Sequence, residues 1–116
     1  MAEGDAVRGK MSISDEAIGE LVAHTCTRCY GVVGMASQGF QEGVAQMLGM
    51  DSLHKGVKVR RKGDELSLNL YIIVEAGVNI TEVARNLIDQ VKYVLQSTAR
   101  LQAQEVEVHV QGVRAS

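Results

Sequence analysis

The sequence predicts a two-layer α+β domain, with two amphipathic helices packed on one face of a small, mainly antiparallel sheet. Two stretches repeat apolar residues at helical spacing, and three others alternate apolar and polar residues as half-buried strands do. The predicted order is helix, strand, strand, strand, helix, strand. Packing both helices on the same face of the sheet buries both apolar stripes.

The first predicted helix begins after Ser14, which can cap it, and runs for about 15 residues. Gly31 ends this helix, and residues 31–36 form a short strand candidate. For residues 37–54 we expect a short helix or a loop, because three glycines weaken their helical spacing. The apolar stripe of the first helix consists of Ile18, Leu21, Val22, Thr25, Cys26 and Cys29.

Residues 56–62 and 65–75 are predicted to form an antiparallel hairpin around a turn at residues 62–64. Val57 and Val59 lie on one face of its first strand, and Lys58 and Arg60 on the other. The second strand places one set of alternate residues in the core: Leu66, Leu68, Leu70, Ile72 and Val74. Its other set lies on the opposite face: Ser67, Asn69, Tyr71 and Ile73.

The second helix is predicted to start at Asn79, which can act as its cap with Glu82 at the third position. Residues 105–110 follow as a last strand, which alternates valines with polar residues. Because a helix separates this strand from residues 65–75, the two strands can lie parallel. The helix residues expected to face the core strand are Ile18, Leu21, Val22, Leu87, Val91 and Val94.

The chain has 116 residues, a length typical of a single domain. We expect a flexible leader at 1–11, a single domain at 12–113 and a tail at 114–116. With a net charge of -2, binding to nucleic acid is not indicated. No apolar run is long enough to span a membrane, and the N-terminus lacks the apolar stretch of a signal peptide. These features predict a cytoplasmic protein.

Four stretches resemble the alkaline-shock, envelope-stress-response family of Gram-positive and related bacteria. They are ISDEAI at 13–18, GVVGM at 31–35, LYIIVEAGVNITEVARN at 70–86 and EVEVHVQGV at 105–113. The resemblance covers nearly all of residues 12–113. Its most specific block contains Gly77, Val78, Asn79, Ile80, Glu82, Arg85 and Asn86.

The resemblance implies a non-catalytic, cytoplasmic protein, without a cofactor, that is tied to cell-envelope stress. Family members can self-assemble and can be held near the membrane by a separate anchor protein, so the resemblance implies a homo-oligomer and allows an anchor as a partner. The chain departs from the family pattern at residues 99–101, where Ala-Arg-Leu replaces Thr-Gly-Leu. Without that glycine stop, the second helix is expected to run on by about one turn.

Cys26 and Cys29 support an alternative function in metal, iron–sulfur or redox chemistry. The layout also resembles the small α+β domains of iron–sulfur assembly factors. However, a redox pair needs a helix N-terminus to stabilise its thiolate, and this pair lies at a helix C-terminus. The purely structural interpretation is that both cysteines are small apolar residues of the buried stripe.

Two further surfaces are candidates for binding. Lys58, Arg60, Arg61 and Lys62 form a possible anion-binding strand, or a charged hairpin that discourages aggregation. The predicted assembly surface consists of Phe40, Met47, Tyr71 and Ile73, which no predicted element obviously covers. His109 is interpreted as an exposed or hydrogen-bonded strand residue rather than a general base.

Overall fold

A computed structural model describes residues 12–36, 51–63 and 65–115 of the chain, with the backbone alone for 51–54. Its elements are α1 (Asp15–Thr27), β1 (Val32–Met35), β2 (Asp51–His54), β3 (Val57–Lys62), β4 (Glu65–Glu75), α2 (Ile80–Val94) and β5 (Glu105–Arg114). The predicted fold class is confirmed, and the predicted elements occur in the predicted order.

One additional strand, β2, lies in the stretch for which we predicted a short helix or a loop. It pairs antiparallel with β3, and His54 lies beside Val57. The two turn residues between them, Lys55 and Gly56, both have positive φ, at 52° and 83°. Such a two-residue turn matches the twist of a hairpin. The turn was not predicted, because lysine is not a residue that indicates a turn with positive φ.

The sheet is built around β4. The first half of β4 pairs antiparallel with β3, and its second half pairs antiparallel with β1 along the same edge. Tyr71 lies where the partner changes, since its N–H donates to the Gly56 carbonyl and its own carbonyl accepts from the Ala36 N–H. Along its other edge β4 pairs with β5, which runs parallel to it as the crossover predicted.

The core lies between the two helices and one face of this sheet. The five alternate apolar residues of β4 are all buried there, as predicted. Of the six helix residues expected to face them, four are buried, namely Ile18, Val22, Leu87 and Val91. Leu21 and Val94 are only half-buried because they line a groove between the helices.

Both predicted helix caps form. Ser14 accepts a hydrogen bond from the Ala17 N–H at 3.0 Å, and Asn79 accepts one from the Glu82 N–H at 3.1 Å. Beyond α2 the chain continues for one wide π-helical turn (Leu95–Ala99), which ends at Arg100. Arg100 has a φ of 59°, the left-handed conformation that usually falls to glycine. The helix therefore does run on by about a turn, and an arginine stops it.

Candidate interaction surfaces

The side of the sheet turned away from the helices is called here the outer face. Its side chains include Lys58 and Arg60 of β3, Ser67, Asn69, Tyr71 and Ile73 of β4, and Glu105, Glu107, His109 and Arg114 of β5. The four β4 residues are half-buried, whereas their neighbours on the helix side are fully buried. No helix in the described ranges packs against this face.

An aromatic pair lies at the centre of the outer face. The rings of Tyr71 and His109 stack with centroids 4.7 Å apart and planes inclined by 14°. His109 Nε2 donates to Asn69 Oδ1 at 2.8 Å, and Glu107 Oε1 lies 3.6 Å from the same nitrogen. The interpretation of His109 as a hydrogen-bonded strand residue is thus confirmed by geometry. The cluster holds the imidazole ring flat against the tyrosine.

Sequence reasoning missed this cluster, although part of the signal was present. It placed Tyr71 and Asn69 on one face of their strand and His109 opposite the valines of the last strand. The parallel register sets His109 beside Tyr71 and Glu107 beside Asn69. The alternation of the two strands and their parallel crossover put these residues on one face, but only the register, which alternation does not fix, brings them together.

Basic residues of β3 and acidic residues of β5 lie on the two sides of β4 on the outer face. One row of aligned residues runs Asp51, Arg60, Ser67, Glu105, and the next runs Leu53, Lys58, Asn69, Glu107. Neighbouring strands are about 4.8 Å apart, so each basic residue lies about 10 Å from the glutamate of its row. A second copy placed against this face by a half rotation about an axis parallel to β4 sets the side chains of β3 against those of β5.

The four basic residues of the possible anion site do not form one cluster. Lys58 and Arg60 lie on the outer face, whereas the Arg61 side chain reaches to the start of α1. There its Nε donates to Asp15 Oδ1 at 2.8 Å, and a terminal nitrogen donates to the Ile13 carbonyl. Lys62 is exposed at the strand end, beside Glu65. Anion binding by these residues stays a prediction.

The family-signature block divides into structural and surface residues. Gly77 makes a turn after β4 with a φ of 95°, and Val78 packs against the core. Asn79 is the cap of α2, and Arg85 forms an exposed pair with Glu82 at 3.4 Å. The other two members, Ile80 and Asn86, are both exposed. Asn86 lies in the wall of the groove between the helices.

This groove between the helices has a volume of 490 Å³. Its residues from α1 and the loop after it are Leu21, His24, Thr25, Arg28, Cys29 and Tyr30, and those from α2 are Asn86, Gln90 and Val94. Tyr30 is 74% exposed. The groove therefore combines an apolar floor with polar and cationic walls, and sequence reasoning did not find it.

The two cysteines lie beside this groove in different environments. Cys26 is fully buried, and burial raises the pKa of its thiol to about 12. Burial also raises the pKa of Cys29, whose Sγ donates to the Thr25 carbonyl at 3.4 Å. Both thiols are therefore held in the protonated form, whereas metal binding and redox exchange need the thiolate. Within the described ranges no three His, Cys, Asp or Glu side chains are grouped as metal ligands.

These features define a small α+β domain with a sheet face that no described helix covers, and comparison with known proteins places it in a family. Residues 3–115 match the model of the alkaline shock protein family, which is described as having a cell envelope-related function. The chain belongs to this family, as its sequence motifs indicated. None of the helices described is both long enough and apolar enough to cross a membrane.

Individual relatives agree with this assignment. The chain is 38% identical to the uncharacterized protein YloU of Bacillus subtilis over 93% of its own length and 91% of that protein. It is 34% identical to the uncharacterized protein Spy1614 of Streptococcus pyogenes, over 91% and 88% of the two chains. Among solved structures, a zinc form of the MamM CTD matches 87% of this chain and 85% of its own, with 16% identity and a TM-score of 0.49. That likeness is too low to carry a function across.

Proposed function

We propose that this protein is a non-catalytic component of the response to envelope stress, which assembles with further copies of itself and recruits partner proteins near the cytoplasmic membrane. The observation that carries the proposal is the outer face. It joins a half-buried aromatic and aliphatic centre to basic residues on β3 and acidic residues on β5. Such a pattern is complementary to itself under a two-fold rotation, the commonest symmetry of protein oligomers.

The centre of the face supplies the apolar contact in this proposal. Tyr71 and Ile73 are the members of the predicted assembly surface that lie on the outer face, whereas Phe40 and Met47 lie outside the described residues. Stacking on His109 fixes the tyrosine ring, so little side-chain entropy is lost when a second copy covers it. The basic residues of β3 and the acidic residues of β5 then set the orientation of the second copy.

We assign recruitment to the groove between the helices, because it lies on the opposite side of the molecule and stays accessible in an assembly through the outer face. Arg28 and Asn86 give it polar walls, and the 74% exposed ring of Tyr30 gives it an aromatic rim. Exposed aromatic and arginine side chains are typical anchors of protein interfaces. A membrane anchor protein is the partner that the family resemblance implies.

Light scattering after size-exclusion chromatography tests the assembly. At micromolar concentration we expect a mass that is a multiple of 12.5 kDa. Tyr71→Asp and Ile73→Asp should each lower this mass, because a carboxylate in the interface is desolvated without a partner. Tyr93→Asp is the matched control, since Tyr93 is 67% exposed on α2 and away from the outer face.

Circular dichroism should show that all three variants keep the fold. A wild-type mass of 12.5 kDa across the concentration range would refute self-assembly. A larger mass that neither outer-face variant changes would refute the assignment of the interface to this face.

A further inference from the structure

Strand β5 has one edge that no strand in the described part of the chain occupies. It is 10 residues long and pairs with β4 along its other edge only. Edge strands in soluble proteins are commonly short, or carry lysine, proline, other charges or a β-bulge that hinders pairing with another chain. The sequence of β5, EVEVHVQGVR, contains neither lysine nor proline, but it carries three charged residues and a register shift after Val110. Because no strand of the described residues occupies this edge, it can pair with a further strand.

The backbone groups that face the free edge follow from the pairing of β4. Both backbone groups of Tyr71 bond towards β1 and β3, so those of Leu70 and Ile72 point to β5. In a parallel pair, a β4 residue whose N–H and C=O point to β5 bonds to the two residues that flank its aligned partner in β5. The backbone groups of the aligned partner itself then point away from β4. Val108 is aligned with Leu70, and Val113 with Val74. The N–H and C=O groups of Val108 and Val113 therefore point to the free edge.

From this arrangement we propose that β5 pairs antiparallel with β5 of a second copy, so that the two sheets become continuous across a two-fold axis. In the proposed register Val108 of each copy lies opposite Val113 of the other. Both residues direct their backbone groups outwards, so the pair can exchange two hydrogen bonds. Glu107 then lies opposite Arg114, and His109 lies opposite Gly112.

The side chains support this register. Val113 is 59% exposed although it is aligned with buried Val74, on the helix side of the sheet. Val108 is only half-buried on the same side. Pairing the two strands covers both valines, which otherwise remain in water at a cost of about 25 cal/mol for each Å² of apolar surface.

Charge and size also agree on the outer face. Glu107 and Arg114 both lie on that face, aligned with Asn69 and Glu75. The two-fold axis brings the acidic start of each strand to the basic end of the other, and opposite charges on directly opposed residues stabilise a strand pair. His109 meets a glycine, which leaves room for its ring.

This inference rests on the self-assembly proposed above but assigns it a second, separate surface. An edge pair leaves the outer faces of both copies uncovered, so contacts through Tyr71 can still form. The two contacts together extend an assembly beyond a closed dimer, because each copy then has two different interfaces.

Cysteine cross-linking tests the register directly. Glu107→Cys/Arg114→Cys is made in a Cys29→Ser background, and Cys26 is left in place because it is fully buried. In the proposed pair these two positions are not hydrogen bonded, so their Cα atoms lie about 4.5 Å apart, within the range of a disulfide. Within one chain they are about 23 Å apart, so any disulfide between them joins two copies.

Glu105→Cys/Arg114→Cys is the matched control. In the proposed register its two positions are offset by two residues, so their Cα atoms lie about 8 Å apart, too far for a disulfide. After mild oxidation with copper phenanthroline, a non-reducing gel should show most of the first variant as a covalent dimer and the control near background. Mass spectrometry should find the peptide that joins positions 107 and 114.

Three outcomes separate this inference from the proposed function. A dimer of the first variant that persists when Tyr71→Asp is added supports edge pairing independently of the outer face. Equal yields in the first variant and the control refute the register. No cross-link, in a protein whose mass shows that it assembles and responds to Tyr71→Asp, refutes edge pairing and leaves the outer-face assembly standing.

Discussion

Leu70→Ala tests the assignment of the two faces of β4. Leu70 is 0% exposed and lies between Val57 on β3 and Val108 on β5. The change removes three carbon atoms, which costs about 2.4 kcal/mol at about 0.8 kcal/mol for each buried methylene. The cavity adds to this cost, and paired strands on both sides of Leu70 limit its collapse. We expect a loss of about 3–4 kcal/mol in the free energy of unfolding.

Urea denaturation followed by circular dichroism measures this loss. With a slope of about 2 kcal/mol per molar urea, the midpoint should fall by about 1.5–2 M. Leu21→Ala is the matched control, because it makes the same chemical change at a half-buried position in the groove wall. Its loss should be less than half as large. A loss below about 1 kcal/mol for Leu70→Ala would mean that the two faces of the strand are inverted.

Two further predictions concern the raised thiol pKa and the left-handed arginine. Because burial raises the pKa of Cys26 from 9.0 to about 12, the unfolded chain loses this proton first as the pH rises. The free energy of unfolding should therefore fall above pH 9.0, by up to about 1.4 kcal/mol per pH unit. Cys26→Ala should make this fall with pH less steep. Equal slopes for the wild type and the variant, in urea titrations at pH 8–10, would show that Cys26 does not cause the fall. Arg100→Gly should stabilise the fold by up to about 1 kcal/mol, since relief of the left-handed strain exceeds the added chain entropy. Arg100→Ala keeps the Cβ atom and should not increase the stability in this way. Equal shifts of the melting temperature for the two variants would exclude backbone strain as the cause.

The fold was predictable because the strongest sequence signals are the ones that burial imposes. The alternation of β4 identified the core face correctly at all five apolar positions. The caps of both helices followed from Ser14 and Asn79, whose side chains satisfy N–H groups of the first helical turn. Local chemistry was sufficient for these features.

What the sequence did not reveal depends on register. Which face a residue occupies follows from alternation, but which strands lie side by side follows from tertiary packing. The Tyr71–His109 stack joins residues 38 positions apart, and only the parallel register of β5 against β4 brings them together. The same holds for the groove, whose two walls belong to different helices. The separation of Arg61 from Lys58 and Arg60 was implicit in the alternation of β3, but its contact with Asp15 was not.

The register shift in β5 connects the two surfaces that we propose for assembly. Beside Ile72 and Ile73 of β4, the strand β5 contains one extra residue, so Val110 and Gly112 take adjacent places. Without the extra residue, strict alternation from His109 would put Val113 on the outer face and Arg114 on the helix side. The shift instead turns Arg114 to the outer face and Val113 to the helix side, at the free edge. A bulge of this kind re-aims the side chains that follow it. The acidic start and the basic end of β5 consequently lie on one face, which is the condition for the two-fold pairing of Glu107 with Arg114.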